Sequence, residues 1–114
     1  MSRWTWYVSN ETVDTLVLTS ASLDYGDWFG GDGPPPVIDA GHDVTWECES
    51  GWLGNIRGVA VYASALGNVA FTWEVPFFGG PANNVDSGPY VLRRMGPSGD
   101  GGAMVAIAPP PAQD

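Results

Sequence analysis

Few residues of this chain are of a kind that does covalent chemistry. His42 is the only histidine. Its neighbours Gly41 and Asp43 put it in a turn, with no partner at a spacing suited to a general base or a metal ligand. Glu47 and Glu49 share one face of an extended segment at about 7 Å, the carboxylate separation of inverting glycosidases. The same spacing is ordinary solvation of an exposed strand face, and nothing else points to a sugar-cleaving groove. Asp24, Asp27, Asp32, Asp39 and Asp43 offer oxygens that calcium accepts, but without EF-hand order and where aspartate commonly makes turns. Cys48 is the single cysteine, set in an alternating run between Trp46 and Ser50, so it reads as a buried thiol with no intramolecular disulfide. The expectation is a protein that is not an enzyme and uses no cofactor or metal.

The side chains that do stand out are aromatic and lie beside three glycine-rich loops. Trp28 and Phe29 sit at the mouth of the segment FGGDGPPP, and Trp52 lies between glycines in SGWLGNIRG. Phe77 and Phe78 follow Pro76, where a strand pattern stops. Two adjacent phenylalanines in a bend cannot both point inward, so at least one is expected to face outward. Such groups do noncovalent chemistry. An indole is apolar but its N–H wants water, which suits a membrane interface. The alternative is that a loop aromatic folds back over a sheet end, and for Trp28 and Trp52 the sequence leaves both readings open.

The elements that must position these loops are strands. Val69, Phe71, Trp73 and Val75 alternate with Ala70, Thr72 and Glu74, which gives a half-buried strand ending at Pro76. Trp46 and Trp73, mid-strand on apolar faces, read as core. Trp4, Trp6 and Val8 make a first strand closed by Asn10 and Glu11, and Val44, Trp46 and Cys48 make another. Further strands are expected over 16–22, 37–38, 58–64, 90–95 and 104–108. Turns or loops are expected over 23–28, 29–36, 50–58, 83–88 and 96–102. Eight or nine short strands with turn signals between them and no helical period indicate an all-β antiparallel sandwich or barrel. Residues 1–108 read as one domain and the proline-rich 109–114 as a disordered tail.

Charge narrows the partners. Thirteen acidic residues face four arginines, for a net charge of −9. That field disfavours nucleic acid and acidic lipid, and a membrane target would be zwitterionic lipid or sterol. The N-terminal residues lack a secretory apolar run, so the chain is expected to be soluble and made in the cytoplasm.

Several marks, taken in order, resemble the aegerolysin family, and within it the small component of bacterial two-part insecticidal crystal toxins. They are Val8-Ser9-Asn10-Glu11-Thr12 leading to Leu16-Val17-Leu18, then Leu23-Asp24-Tyr25-Gly26-Asp27-Trp28, then Glu49-Ser50, then Gly58 before an aliphatic strand ending in Tyr62. Trp73-Glu74-Val75-Pro76-Phe77-Phe78-Gly79-Gly80, with Asn83 or Asn84 after it, is the most telling. The chain departs from the fungal branch in lacking a second cysteine near the central glycine. The resemblance implies a β-sandwich made without a cleavable signal and acting extracellularly at target membranes. Loops at one end would recognise a sphingolipid, with or without sterol, and recruit a larger pore-forming partner, as cytolysins and hemolysins of this kind do. By resemblance, Trp6 and Tyr25 match approximately the aromatic positions near the lipid headgroup, although Trp6 shares a strand face with Val8 and so also reads as core. The expected lipid-binding set is Trp6, Tyr25, Trp28, Phe29, Trp52, Phe77 and Phe78. The competing class is a lectin or carbohydrate-binding module, which would need Asn83, Asn84 and Asp86 beside an aromatic. Whether edge strands pair into a homodimer stays open.

Overall fold

The computed structural model describes residues 2–31, 33–51, 54–96 and 101–112. They form β1 (Arg3–Asn10), β2 (Leu16–Tyr25), β3 (Asp27–Trp28), a 3-10 turn (Phe29–Gly31), β4 (Val37–Ile38), β5 (Asp43–Glu49), β6 (Ile56–Ala63), β7 (Asn68–Val75), β8 (Ala82–Asp86), β9 (Val91–Arg94) and β10 (Gly102–Ala108). Two five-stranded sheets face each other, one in the order β3-β5-β1-β10-β9 and the other β4-β2-β6-β7-β8. The fold is therefore an all-β sandwich, one of the two architectures the alternating pattern allows and the one the resemblance implies. One pair departs from the antiparallel expectation, since β1 and β10 run parallel. They are the first and last strands, so no direct crossover has to join them.

Two loop expectations are corrected. Residues 82–86 form β8, an edge strand, although asparagine is a poor strand former. Pairing with β7 overrides that preference, with Asn84 opposite Thr72 and Val85 opposite Phe71, and Val85 turns into the core. Residues 23–25 continue β2 instead of starting a turn. Irregularities between Leu18 and Ser20 and between Leu23 and Tyr25 shift its register on β6, so the inward set changes parity from Leu16 and Leu18 to Ala21 and Leu23. A strict two-residue period cannot reveal that shift.

The inner faces meet around aromatic rings. Trp6 lies 5.3 Å from Phe71, 5.9 Å from Trp73, 5.9 Å from Trp4 and 6.1 Å from Trp46, ring centroid to centroid. The contacts with Phe71, Trp73 and Trp4 are edge-on, and such contacts add to the stabilisation from burial alone. Trp73 crosses directly over Gly58, where an added Cβ would fall 2.5 Å from the indole and 2.7 Å from Leu23. Its indole N–H donates to the Cys48 sulfur at 3.1 Å, tying the second sheet to the first. Burial pushes the Cys48 thiol up to about 11, so it remains a neutral acceptor at ordinary pH.

Several of the sequence marks turn out to be structural ties. Asn10, fully buried, donates through Nδ2 to the carbonyls of Asp14, Ile38 and Asp39, while its Oδ1 accepts from the Thr12 amide and hydroxyl. Tyr62 donates to the Pro35 carbonyl at 2.7 Å, which fastens the proline loop to the sandwich. These bonds satisfy buried polar groups that would otherwise cost about 1–3 kcal/mol each.

Trp73→Ala is expected to lower unfolding free energy by about 3–5 kcal/mol, and Gly58→Ala by about 1–3 kcal/mol through overpacking against the same ring. Urea titration measures both, and a neutral effect of either would contradict this packing.

Candidate functional site

One end of the sandwich gathers the β2–β3, β5–β6 and β7–β8 connections. Gly26 makes the crossing from the second sheet to the first with φ +96°, and an added Cβ there would meet the Glu49 carbonyl oxygen at 2.8 Å. No L-residue with a side chain fits that backbone and that space. Ser2 and Ser50 clamp the same end, the Ser50 amide donating to the Ser2 carbonyl and the Ser2 amide to the Ser50 hydroxyl, both at 2.7 Å.

From this braced end the bend after Pro76 projects two rings. Phe78 is 83 % and Phe77 60 % exposed, and the rings meet edge to face at 4.6 Å. Phe77 also leans on the β5–β6 connection, since a Cβ at Gly54 would lie 3.4 Å from its ring. The expectation that at least one of the pair faces outward holds for both. Tyr25 is 52 % exposed and shares with Phe77, Asn55, Ile56, Glu74, Val75 and Pro76 the lining of a cavity of about 140 Å³. Tyr25, Phe77 and Phe78 therefore form one aromatic tip.

The other expected members divide. Trp6 is fully buried in the core, so its place in a surface lipid-binding set is corrected. The alternation with Trp4 and Val8 turns its ring into the sandwich and away from any headgroup. Trp28 is half-buried, 6.1 Å from Trp73 and beneath Gly33, whose Cβ would contact its indole at 3.4 Å. It folds back over the sheet end. Phe29 is partly exposed, but the Arg3 guanidinium stands 4.1 Å from its ring centroid and covers that face in a cation–π contact. Trp52 lies outside the described residues.

The carboxylates noted in the sequence also have assignments. Glu47 and Glu49 flank Arg3 at 3.8 and 3.9 Å, an ion-paired strand face and not a cleft. Among the described residues no group of three histidine, cysteine or carboxylate side chains is placed to hold a metal, and no helix is long and apolar enough to cross a membrane. The sequence reading missed Arg57 and Glu74 as site candidates. They lie side by side on the outer face of the second sheet, and the outward parity of both strands was the signal that could have found them.

No protein-family model matches the chain, and no curated protein does. Solved structures do match it over nearly its whole length. RahU protein, in complex with a TRIS molecule, is similar with a TM-score of 0.76 at 12% identity, covering 98% of this chain and 98% of that one. IP-1A from Alcaligenes faecalis is similar with a TM-score of 0.72 at 15% identity, covering 95% and 91%. Both are aegerolysin-family proteins, and this chain has the aegerolysin fold.

Trp28→Ala is expected to cost about 2 kcal/mol, the loss of a half-buried ring, whereas Phe78→Ala stays within about 0.5 kcal/mol as an exposed substitution. Thermal melting separates them, and equal shifts would contradict the packing of Trp28.

Proposed function

We propose that this protein binds membrane lipid through the aromatic tip formed by Tyr25, Phe77 and Phe78, and that it serves as the targeting component of a two-part pore-forming cytolysin or insecticidal toxin. The observation that carries the reading is the Phe77–Phe78 pair, exposed at 60 % and 83 % on a charge-free bend. Exposed apolar residues also occur elsewhere, Val13 and Leu66 at the opposite end among them, but scattered aliphatic side chains are ordinary on a soluble surface. An aromatic cluster on a braced loop is not.

The tip carries no lysine or arginine and the whole chain is acidic, so the attraction in this reading is apolar and insensitive to salt. Each phenylalanine contributes roughly 1.5–3 kcal/mol when it leaves water. With two rings that is only weak anchorage, comparable to a single lipid chain, for which a second recognition element is needed. A specific headgroup supplies it, and a sphingolipid with or without sterol is the class proposed. The outer face of the first sheet and the opposite end stay in water, where a larger pore-forming protein would assemble from outside the target cell. The shared fold with RahU and IP-1A is consistent with this assignment.

Co-sedimentation with phosphatidylcholine–sphingolipid–cholesterol vesicles at low and high salt tests the reading. Binding is expected to resist salt and to fall about tenfold or more in Phe77→Ala and in Phe78→Ala, the loss of one buried ring. Wild-type binding that vanishes with salt, or that survives both substitutions together, would overturn it.

A further inference from the structure

The outer face of the second sheet carries a groove of about 470 Å³ whose polar lining includes Ser22, Asp24, Arg57, Thr72, Glu74 and Asn84. That volume falls within the range of small-ligand clefts, about 300–1,000 Å³. Strand register explains why these side chains converge. Tyr25, Arg57 and Glu74 are neighbours on one rung across β2, β6 and β7. On the next rung of the same face, Ser22 pairs with Val59, Val59 with Thr72 and Thr72 with Asn84. Adjacent strands stand about 4.8 Å apart, so the two rungs place donors and acceptors on the scale of a single small ring. Asp24 sits at the bulge of β2 and reaches in from the side.

The charge pattern selects the ligand. Arg57 Nε lies 3.8 Å from Asp24 Oδ2 and 3.6 Å from Glu74 Oε2. All three side chains are half exposed or more, and ion pairs of this kind contribute little to stability. Both separations exceed hydrogen-bonding distance, so the guanidinium and the two carboxylates can turn to a ligand without breaking a hydrogen bond between them. One cation against two anions disfavours phosphate, and the guanidinium between the carboxylates offsets much of their attraction for an amine. Hydroxyl groups suit both, donating to the carboxylates while accepting from Arg57. Beside the groove, half-exposed Tyr25 is the register partner of Arg57. Glu74 borders both the groove and the small cavity beside Phe77, so the polar groove runs directly into the aromatic tip.

We propose that this groove binds a neutral hexose, presented as the headgroup of a glycosylated lipid whose chains lie toward Phe77 and Phe78. The proposal rests on the membrane reading above and supplies the second recognition element that the tip alone lacks.

The test compares phosphatidylcholine–cholesterol vesicles with and without glucosylceramide or galactosylceramide, alongside titration with the free methyl hexosides. Glu74→Gln and Arg57→Gln are the variants, with thermal melting as the folding control, and Phe78→Ala marks the tip. Expected is tighter binding to hexosylceramide vesicles, competed by the free hexoside. Each groove variant should lose about tenfold of that preference, the effect of one polar contact to a ligand. Phe78→Ala should weaken both. Folded groove variants that keep the preference overturn the proposal. So does a wild type that pellets equally with all vesicles, and that outcome leaves the membrane reading standing. Titration by hexoside, lost in the groove variants, without pelleting on any vesicle supports the groove as a site for soluble glycan and overturns the membrane reading. Neither pelleting nor titration overturns both.

Discussion

The close approach of Trp73 to Gly58 is the contact on which the rest of this sandwich depends. No side chain larger than hydrogen fits at position 58, because a Cβ there would fall 2.5 Å from the Trp73 ring. The ring packs against β6 at Gly58, and its N–H reaches across to Cys48 on the opposite sheet. Trp6, Trp46 and Trp28 then pack on it at about 6 Å. Four tryptophan rings, Trp73, Trp6, Trp46 and Trp28, are placed by this one arrangement.

The working end follows from the same rigidity. Because Trp73 is locked, Val75 and Pro76 leave the sheet in a fixed direction and the next two residues have no core left to enter. Gly26 and the Ser2–Ser50 clamp hold the adjoining connections close, so Phe77 rests on a firm neighbour at Gly54 while Phe78 has open water in front of it. Function placed on loops that a stiff scaffold presents is the usual solution in β-sandwiches. The polar rungs of the outer face are the other consequence, since the alternation that buries Trp73 and Ile56 turns Glu74 and Arg57 outward.

Much of this was legible in the sequence. Alternation alone located β1, β5 and β7, the burial of Trp46, Trp73 and Cys48, and the all-β class. The marks shared with aegerolysins pointed to the fold that RahU and IP-1A also have. What escaped had physical causes. The bulges in β2 changed the inward parity, so 23–25 looked like a turn. Asn83 and Asn84 looked like loop because tertiary pairing, not propensity, makes β8 a strand. Trp6 was assigned by resemblance to a headgroup position that its own alternation contradicts. Arg57 and Glu74 are far apart in sequence, and only the β6–β7 register brings them together.

Hydrogen exchange of the backbone amides, free and bound to phosphatidylcholine–cholesterol vesicles containing a hexosylceramide, tests the account most directly. Protection on binding is expected at 77–80 and 24–26 and along the adjoining ends of β6 and β7, with 11–14 and 64–67 at the opposite end unchanged. Protection confined to that opposite end, or to the outer face of the first sheet around Tyr7 and Met104, would contradict it.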